Sequence, residues 1–395
     1  MGEWKEYKLK DVAEVQTGPF GSQLHQSDYK SAGTPIITVE HLGENKILHQ
    51  NLPLVGHEDK ERLSKYLLEE GDIVFSRVGS VDRRAYVSDK ENGWMFSGRC
   101  LRVRANREKV HPRFLSFYFG QESFKEYIRM IAVGATMPSI NTDILSTVAV
   151  TLPALPEQKS IASILSSLDD KIDLLHRQNK TLETLAETLF RQWFVEETEE
   201  GWGTGKLGDF GKIICGKTPS KKIHSYFGGK IPFIKIPDMH GKTFIFDTED
   251  TLTEEGANSQ QNKFLPPKSI CVSCIATVGL VTMNAFNSQT NQQINSIIPS
   301  KEIYRYFLYL KLATMKNELL AMASGGTATD NLNTGDFSNI DIIKPDDKVL
   351  ELFHNQVQPN FDKIFANQIQ IRTLTRLRDT LLPKLMSGEV RVKAA

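Results

Sequence analysis

No motif that cradles a phosphate, activates a nucleophile or holds a catalytic metal occurs in this 395-residue sequence. There is no G-x-x-x-x-G-K-[ST] loop and no strand-associated G-x-G-x-x-G. A G-x-S-x-G elbow and an H-E-x-x-H pair are missing as well. The [N/D]-P-P-[Y/F] tetrapeptide that amino-methyltransferases use is absent, and LPPK at 265–268 does not supply it. Nine histidines are scattered without metal-ligand spacing. PDDK at 345–348 has the outward look of a nuclease carboxylate–lysine cluster, but it opens a helix, where early aspartates favour the helix dipole. No known catalytic signature is present, and an enzymatic reading would need a site of unrecognised type.

Cysteine is scarce. Cys100, Cys215, Cys271 and Cys274 are too few for a disulfide framework in a chain of this length. Cys271-x-x-Cys274 is half of a zinc knuckle with no second half, and its apolar setting, SICVSCIATVGLV, reads as a buried strand. No apolar run reaches the roughly 20 residues that cross a bilayer, and the charged start MGEWKEYKLKD is neither a secretory signal nor a myristoylation site. A reducing cytoplasm is the expected compartment. Net charge is zero, with 48 basic and 48 acidic residues, so nothing pulls the whole chain towards nucleic acid. Local basic patches remain open, as does a surface devoted to protein partners.

What the chain does have is a repeat. KLKDVAEVQTG (8–18) aligns with KLGDFGKIICG (206–216), sharing lysine, leucine, aspartate and the closing glycine. TPIITV (34–39) matches IPFIKI (231–236), EEGDIVFS (69–76) matches PPKSICVS (266–273), and GATMPSINTDILSTVAVTLP (134–153) parallels GTATDNLNTGDFSNIDIIKP (326–345). Each half mixes β-rich segments with one stretch of helical spacing, 112–132 and 301–322. The polar, glycine-rich EETEEGWGTG (196–205) separates the halves.

A proline-announced helix follows each half. After LPALPEQ, with Pro156 suited to a first turn, Ile161, Leu165, Leu168, Ile172, Leu175, Asn179, Leu182, Ala186, Leu189 and Trp193 recur in alternating steps of four and three. That is a heptad seam, narrower than the stripe of a helix lying on one globular surface, and about 50 Å long at 1.5 Å per residue. The second copy places Phe353, Val357, Asn360, Ile364, Asn367, Ile371, Leu374, Arg378, Leu381 and Leu385 in the corresponding slots. Pro359 predicts a break or kink in its first part. Antiparallel pairing of the two helices about their middles brings Asn179 and Asn367 to one level, where a paired buried asparagine fixes register.

Two similar domains joined by helices suit a two-part linear target, such as duplex DNA, better than a small molecule. Candidate contacts lie on loops, where Arg and Lys reach phosphates or the guanine edge. They are Arg77, Ser80, Arg83 and Arg84 in SRVGSVDRRAYV, Arg102 and Arg104 on one strand face, and Lys217, Thr218, Ser220, Lys221 and Lys222 in GKTPSKKIHS. Ser22, Gln23 and Thr277 complete the set. The competing reading keeps the architecture but makes it a scaffold whose domains bind two partner proteins.

LPALPEQKSIASILSSLDDKIDLLHRQNKTLETLAETLFRQWFVE resembles the central conserved region of specificity subunits of type I restriction-modification enzymes. QIQIRTLTRLRDTLLPKLMSGEVRV (368–392) resembles that family's C-terminal region, and GDIVFSRVGS and TMPSINTDILSTVAVTLPALPEQ its target-recognition domains. The resemblance covers essentially the whole chain. It implies an α+β, mixed α/β fold with a pseudo-two-fold repeat: recognition domains at 1–152 and 198–344, separated by long antiparallel coiled-coil helices at 153–197 and 345–395. It implies a non-catalytic subunit whose domains each read half of a bipartite DNA target, with the helices setting the spacer and docking two methyltransferase subunits. S-adenosylmethionine, ATP and Mg2+ are then expected on those partners and on restriction/translocase subunits, and none on this chain. KPDDKVLELF lacks the Glu-Gln pair of LPEQ, so partner contacts at the two helix starts are expected to differ.

Overall fold

The computed structural model describes residues 3–197, 201–324 and 330–392. It divides into two compact units, Met1–Leu174 with Ile371–Ala395, and Leu175–Gln370. Each unit therefore holds one of the repeated domains together with a part of each long helix.

In the first unit, Lys5–Lys8 pairs antiparallel with Ala149–Leu152 and brings the two ends of the domain together. The main sheet is antiparallel in the order Ala13–Thr17, Cys100–Ala105, Ile73–Ser76, Arg84–Tyr86. A second sheet runs Tyr29–Lys30, Leu54–Val55, Thr34–Ile37, Met95–Phe96, the last pair parallel. The second unit repeats the plan. Gly203–Lys206 pairs with Asp341–Lys344, so strand begins inside the stretch read as a linker. Its main sheet runs Gly211–Cys215, Ile294–Pro299, Ile270–Ser273, Val281–Asn284, with Phe244–Ile245 added at the edge. A three-stranded sheet of Asp250–Leu252, Phe227–Ile234 and Gln289–Thr290 completes it.

The shared residues of the repeat have physical jobs. Leu9 and Leu207 are fully buried, and the Asp11 and Asp209 carboxylates accept the Lys8 and Lys206 backbone N–H groups at 3.2 and 2.8 Å. A side chain at Gly18 would place its Cβ 2.3 Å from the Ser97 carbonyl oxygen; at Gly216 it would lie 2.1 Å from that of Asn291. Only glycine lets these loops cross so close to the neighbouring strand.

Each helical stretch of the domains is split in two. Pro112–Tyr118 and Glu122–Ile131 part around Gly120, and Arg305–Thr314 and Lys316–Ala323 part at Met315. The break at Gly120 makes room for Arg84, whose Nη2 would lie 2.1 Å from an added Cβ.

The central helix runs Leu155–Arg191 and closes in a π-turn, Gln192–Glu196; the C-terminal helix runs Asp347–Met386. All seam positions of the central helix are buried or half-buried, and Phe190 and Phe194 widen the stripe where it meets the second domain's core. Pro359 does not interrupt its helix, contrary to the sequence expectation. Proline removes one hydrogen bond at a cost of about 3 kcal/mol. Phe353, Val357, Phe361 and Ile364 are at most 1% exposed around it, and burying each contributes about 1.5–3 kcal/mol, which outweighs that loss.

Within each unit the helix segments run antiparallel. Glu157 accepts from Arg391 at 2.6 and 2.8 Å and Asp169 from Arg378 at 3.0 Å in the first unit. In the second, Asn367 Nδ2 donates to Asn179 Oδ1 at 2.8 Å, with both side chains buried, so the asparagine pairing read from the seam is present. Asn179→Ala strands a buried amide and is expected to destabilise the second unit by about 1–3 kcal/mol in chemical denaturation. The double change to leucine should restore stability while weakening register, because it removes a buried polar pair that penalises a slipped alignment. A double variant as unstable as the single would contradict this.

Candidate nucleic-acid interface

The main sheet of each unit has one end from which three loops leave. In the first unit that end carries Thr17, Ser76, Arg84 and Cys100, as the register Thr17–Leu101, Ser76–Cys100 and Phe75–Arg84 requires. The loops are 18–24, 77–83 and 97–99. In the second unit the matching end carries Cys215, Ser273, Val281 and Ile294, and the loops are 216–223, 274–280 and 291–293. Most of the candidate residues fall on these loops, with Ser80 of one unit corresponding to Thr277 of the other.

In the first unit the loops form one side of a cleft of about 870 Å³, whose other side includes Tyr29, Glu40 and Asn51. Arg83 and Arg99 line it, and both are exposed. Arg83 donates to the Leu42 carbonyl through Nη2. Arg77 is half-buried and donates from Nη1 to the Gly98 carbonyl at 3.2 Å and to Thr17 Oγ1 at 3.4 Å. Ser80 is exposed at the loop tip; Gln23 is half-buried and accepts from the Tyr66 hydroxyl at 2.8 Å. The side chain of Ser22 lies outside the described residues.

Three sequence candidates are corrected. Arg84 is 3% exposed and donates from Nε to the Ser116 carbonyl at 3.0 Å, at the C-terminal end of the Pro112–Tyr118 helix where a cation is favoured. Burial pulls its pKa below the ordinary arginine value, and the neighbouring Glu44 opposes that pull. Arg102, also 3% exposed, donates to Glu14 at 3.0 Å and to the carbonyls of Lys65 and Leu67. Arg104 grips Asp72 with two hydrogen bonds, at 2.8 and 2.7 Å, and these hold its pKa up. All three guanidinium groups are committed within the domain. A sequence shows a cluster of arginines on alternating positions, but not that the facing elements supply carboxylates and carbonyls to receive them.

In the second unit Lys217, Ser220, Lys221 and Lys222 are exposed on the first loop. Thr218 donates to Gln292 Oε1 at 2.8 Å, which ties the first loop to the third. Gln260 Nε2 donates to the Lys217 carbonyl at 2.6 Å and to Gln289 Oε1 at 2.7 Å, anchoring the loop from beneath. Thr277 is exposed on the second loop, beside Ala276 in the left-handed region at φ 64°. The position of Arg77 is taken here by Cys274, which is buried. Burial raises the Cys274 thiol to about 11 and that of Cys271 to about 12, as expected for a strand interior.

Two residues of the first cleft escaped the sequence reading. Arg99 was hidden by the more conspicuous Arg102 and Arg104. Phe20 is of a residue type normally found in the core, yet it is 56% exposed.

Comparison with known proteins agrees with this plan. The family described as the type I restriction modification DNA specificity domain matches residues 1–184 and again 199–365, and the chain belongs to that family. It is 35% identical to the HindI specificity subunit of Haemophilus influenzae over 467 aligned positions, covering 99% of this chain and all of the relative. It is 27% identical to the MjaIX specificity subunit of Methanocaldococcus jannaschii, covering 99% and 94%. A crystal structure of a type I restriction-modification S subunit from M. genitalium superposes with a TM-score of 0.67 at 16% identity, covering 97% of this chain and 96% of that one, which establishes the shared fold. Among the described residues no helix is long and apolar enough to cross a membrane.

Proposed function

We propose that this chain is the non-catalytic, DNA-reading subunit of a cytoplasmic type I restriction-modification complex. The observation that carries the reading is the matched set of loops at one sheet end of each domain, with Arg83 and Arg99 on one and Lys217, Lys221 and Lys222 on the other. The same framework with different side chains is what two readers of different half-sites require. S-adenosylmethionine, ATP and Mg2+ belong to its methyltransferase and restriction/translocase partners, and this chain binds none of them.

The helices dock the methyltransferase subunits. Leu174 and Leu377 in the first unit, and Leu185, Leu352 and Ile369 in the second, leave 40–56% of their surface open on the faces away from the seam. Glu157 and Gln158, the pair that LPEQ has and KPDDKVLELF lacks, face inward. Glu157 holds Arg391, while Gln158 accepts from the His111 N–H at 2.9 Å and donates to the Pro153 carbonyl at 2.9 Å.

The test is a domain exchange. Residues 1–152 are replaced by those of a relative, and methylated adenines are mapped in cells that also express the methyltransferase subunit. One half-site should change while the other half-site and the spacer stay. A change in both half-sites, or in neither, would sink the assignment.

A further inference from the structure

Phe20 is an exposed aromatic held in place on every side. Proline precedes it with a restricted φ, and Gly21 follows in the left-handed region at φ 60°, a turn that a residue with a side chain rarely makes. Gly98 lies beneath it: a Cβ there would sit 2.6 Å from both the Phe20 Cβ and the Pro19 carbonyl oxygen. The Arg77 guanidinium carbon lies 5.8 Å from the ring centroid, and Arg77 is itself tethered to Gly98 and Thr17. The ring lines the 870 Å³ cleft together with Tyr29, Arg83 and Arg99. An isolated exposed phenylalanine needs no explanation. One that is pre-positioned, backed by a cation and set beside two further arginines is suited to a flat ring flanked by phosphates.

We propose that Phe20 stacks on, or wedges against, a base of the half-site met by the first domain. This rests on the DNA-reading function proposed above. The repeat does not duplicate the device: the place of Phe20 in the second domain is held by Thr218, among Lys217, Lys221 and Lys222. The two half-sites are therefore gripped by different physics. The first adds a neutral stacking contact to its arginines, while the second has only cations and hydroxyls in the same place.

The difference is measurable in the assembled complex with its methyltransferase subunits. The probe is a duplex bearing the mapped target, with 2-aminopurine placed at each purine of the first half-site in turn. Phe20→Ala is expected to weaken binding on the order of tenfold, the usual range for losing one base–aromatic stack. The slope of log affinity against log salt should stay at its wild-type value, because no charge is removed. The variant should also lose the 2-aminopurine response at one position, and Phe20→Trp should restore both. The triple change Lys217→Ala, Lys221→Ala, Lys222→Ala should lower the salt slope by about two to three and leave the 2-aminopurine response intact. Since Phe20 is exposed, Phe20→Ala should melt with the wild type. Binding within twofold of wild type, a loss accompanied by a lower slope, or failure to assemble with the methyltransferase would each overturn the proposal, the last by marking Phe20 as a protein contact. A wild-type complex that does not prefer the mapped duplex over a scrambled one would bring down the DNA-reading function itself, a separate result.

Discussion

Arg104→Ala is expected to destabilise the first unit by about 3 kcal/mol and to leave the DNA affinity of the folded complex unchanged. Asp72 is 1% exposed, and Arg104 supplies two of the hydrogen bonds to its carboxylate, at 2.8 and 2.7 Å. The Glu69 backbone N–H, at 2.8 Å, is the other hydrogen-bond donor to the carboxylate among the described residues. Arg104 also donates to Glu69 at 2.7 Å and to the Leu67 carbonyl at 3.0 Å, so it joins the loop before Ile73–Ser76 to the neighbouring strand. Removing it leaves a buried charge with one donor, a change that usually costs about 3–5 kcal/mol. Partial exposure of the Arg104 side chain, 27%, puts the expectation at the lower end. A melting point lowered by about 6–12 °C corresponds to that loss in a unit of this size. Adding Asp72→Asn should recover part of it, since the stranded charge is then gone. A variant that melts with the wild type but loses DNA affinity would return Arg104 to the binding surface, where its place in an arginine-rich strand first suggested it belonged.

The contrast between Arg104 and the lysines of the second domain shows what sequence could reveal. The heptad seam, the asparagine pair and the repeat were legible because each depends on periodicity or on a local rule. Asp11 and Asp209 cap the same turn, and Gly18 and Gly216 admit the same close crossing, so similar residues recur at similar places. The exposed lysines of GKTPSKKIHS were legible because proline, serine and adjacent charges define a loop. Arg84 and Arg102 were not, since their roles depend on Ser116, Glu14 and Leu67, distant in sequence and without any pattern linking them. Pro359 misled for a related reason. Its local cost is real, but the packing of Phe353, Val357, Phe361 and Ile364 that outweighs it is a tertiary quantity. Phe20 was obscured most of all, because the residue type argues for burial and its close contact with Gly98 is distant in sequence.

The other large effect is expected from lengthening both helices together. Inserting four residues between Leu174 and Leu175, and four between Gln370 and Ile371, adds about 6 Å to each helix at 1.5 Å per residue. Both insertions fall at the boundary between the units, so the Asp169–Arg378 pair of the first and the Asn179–Asn367 pair of the second keep their partners. Four residues make slightly more than one helical turn, and the seam faces on either side stay within about 40° of their original direction. Duplex DNA rises about 3.4 Å per base pair. If the helices set the spacer, the target mapped from methylated adenines should keep both half-sites and gain about two base pairs between them. Four residues inserted in the central helix alone should behave differently, because the two helices then no longer match in length and one of the two pairs must part. That variant should lose stability and activity without acquiring a new target. An unchanged spacer in the matched variant, with both half-sites still methylated, would separate spacing from helix length and leave the helices only the docking role proposed for them.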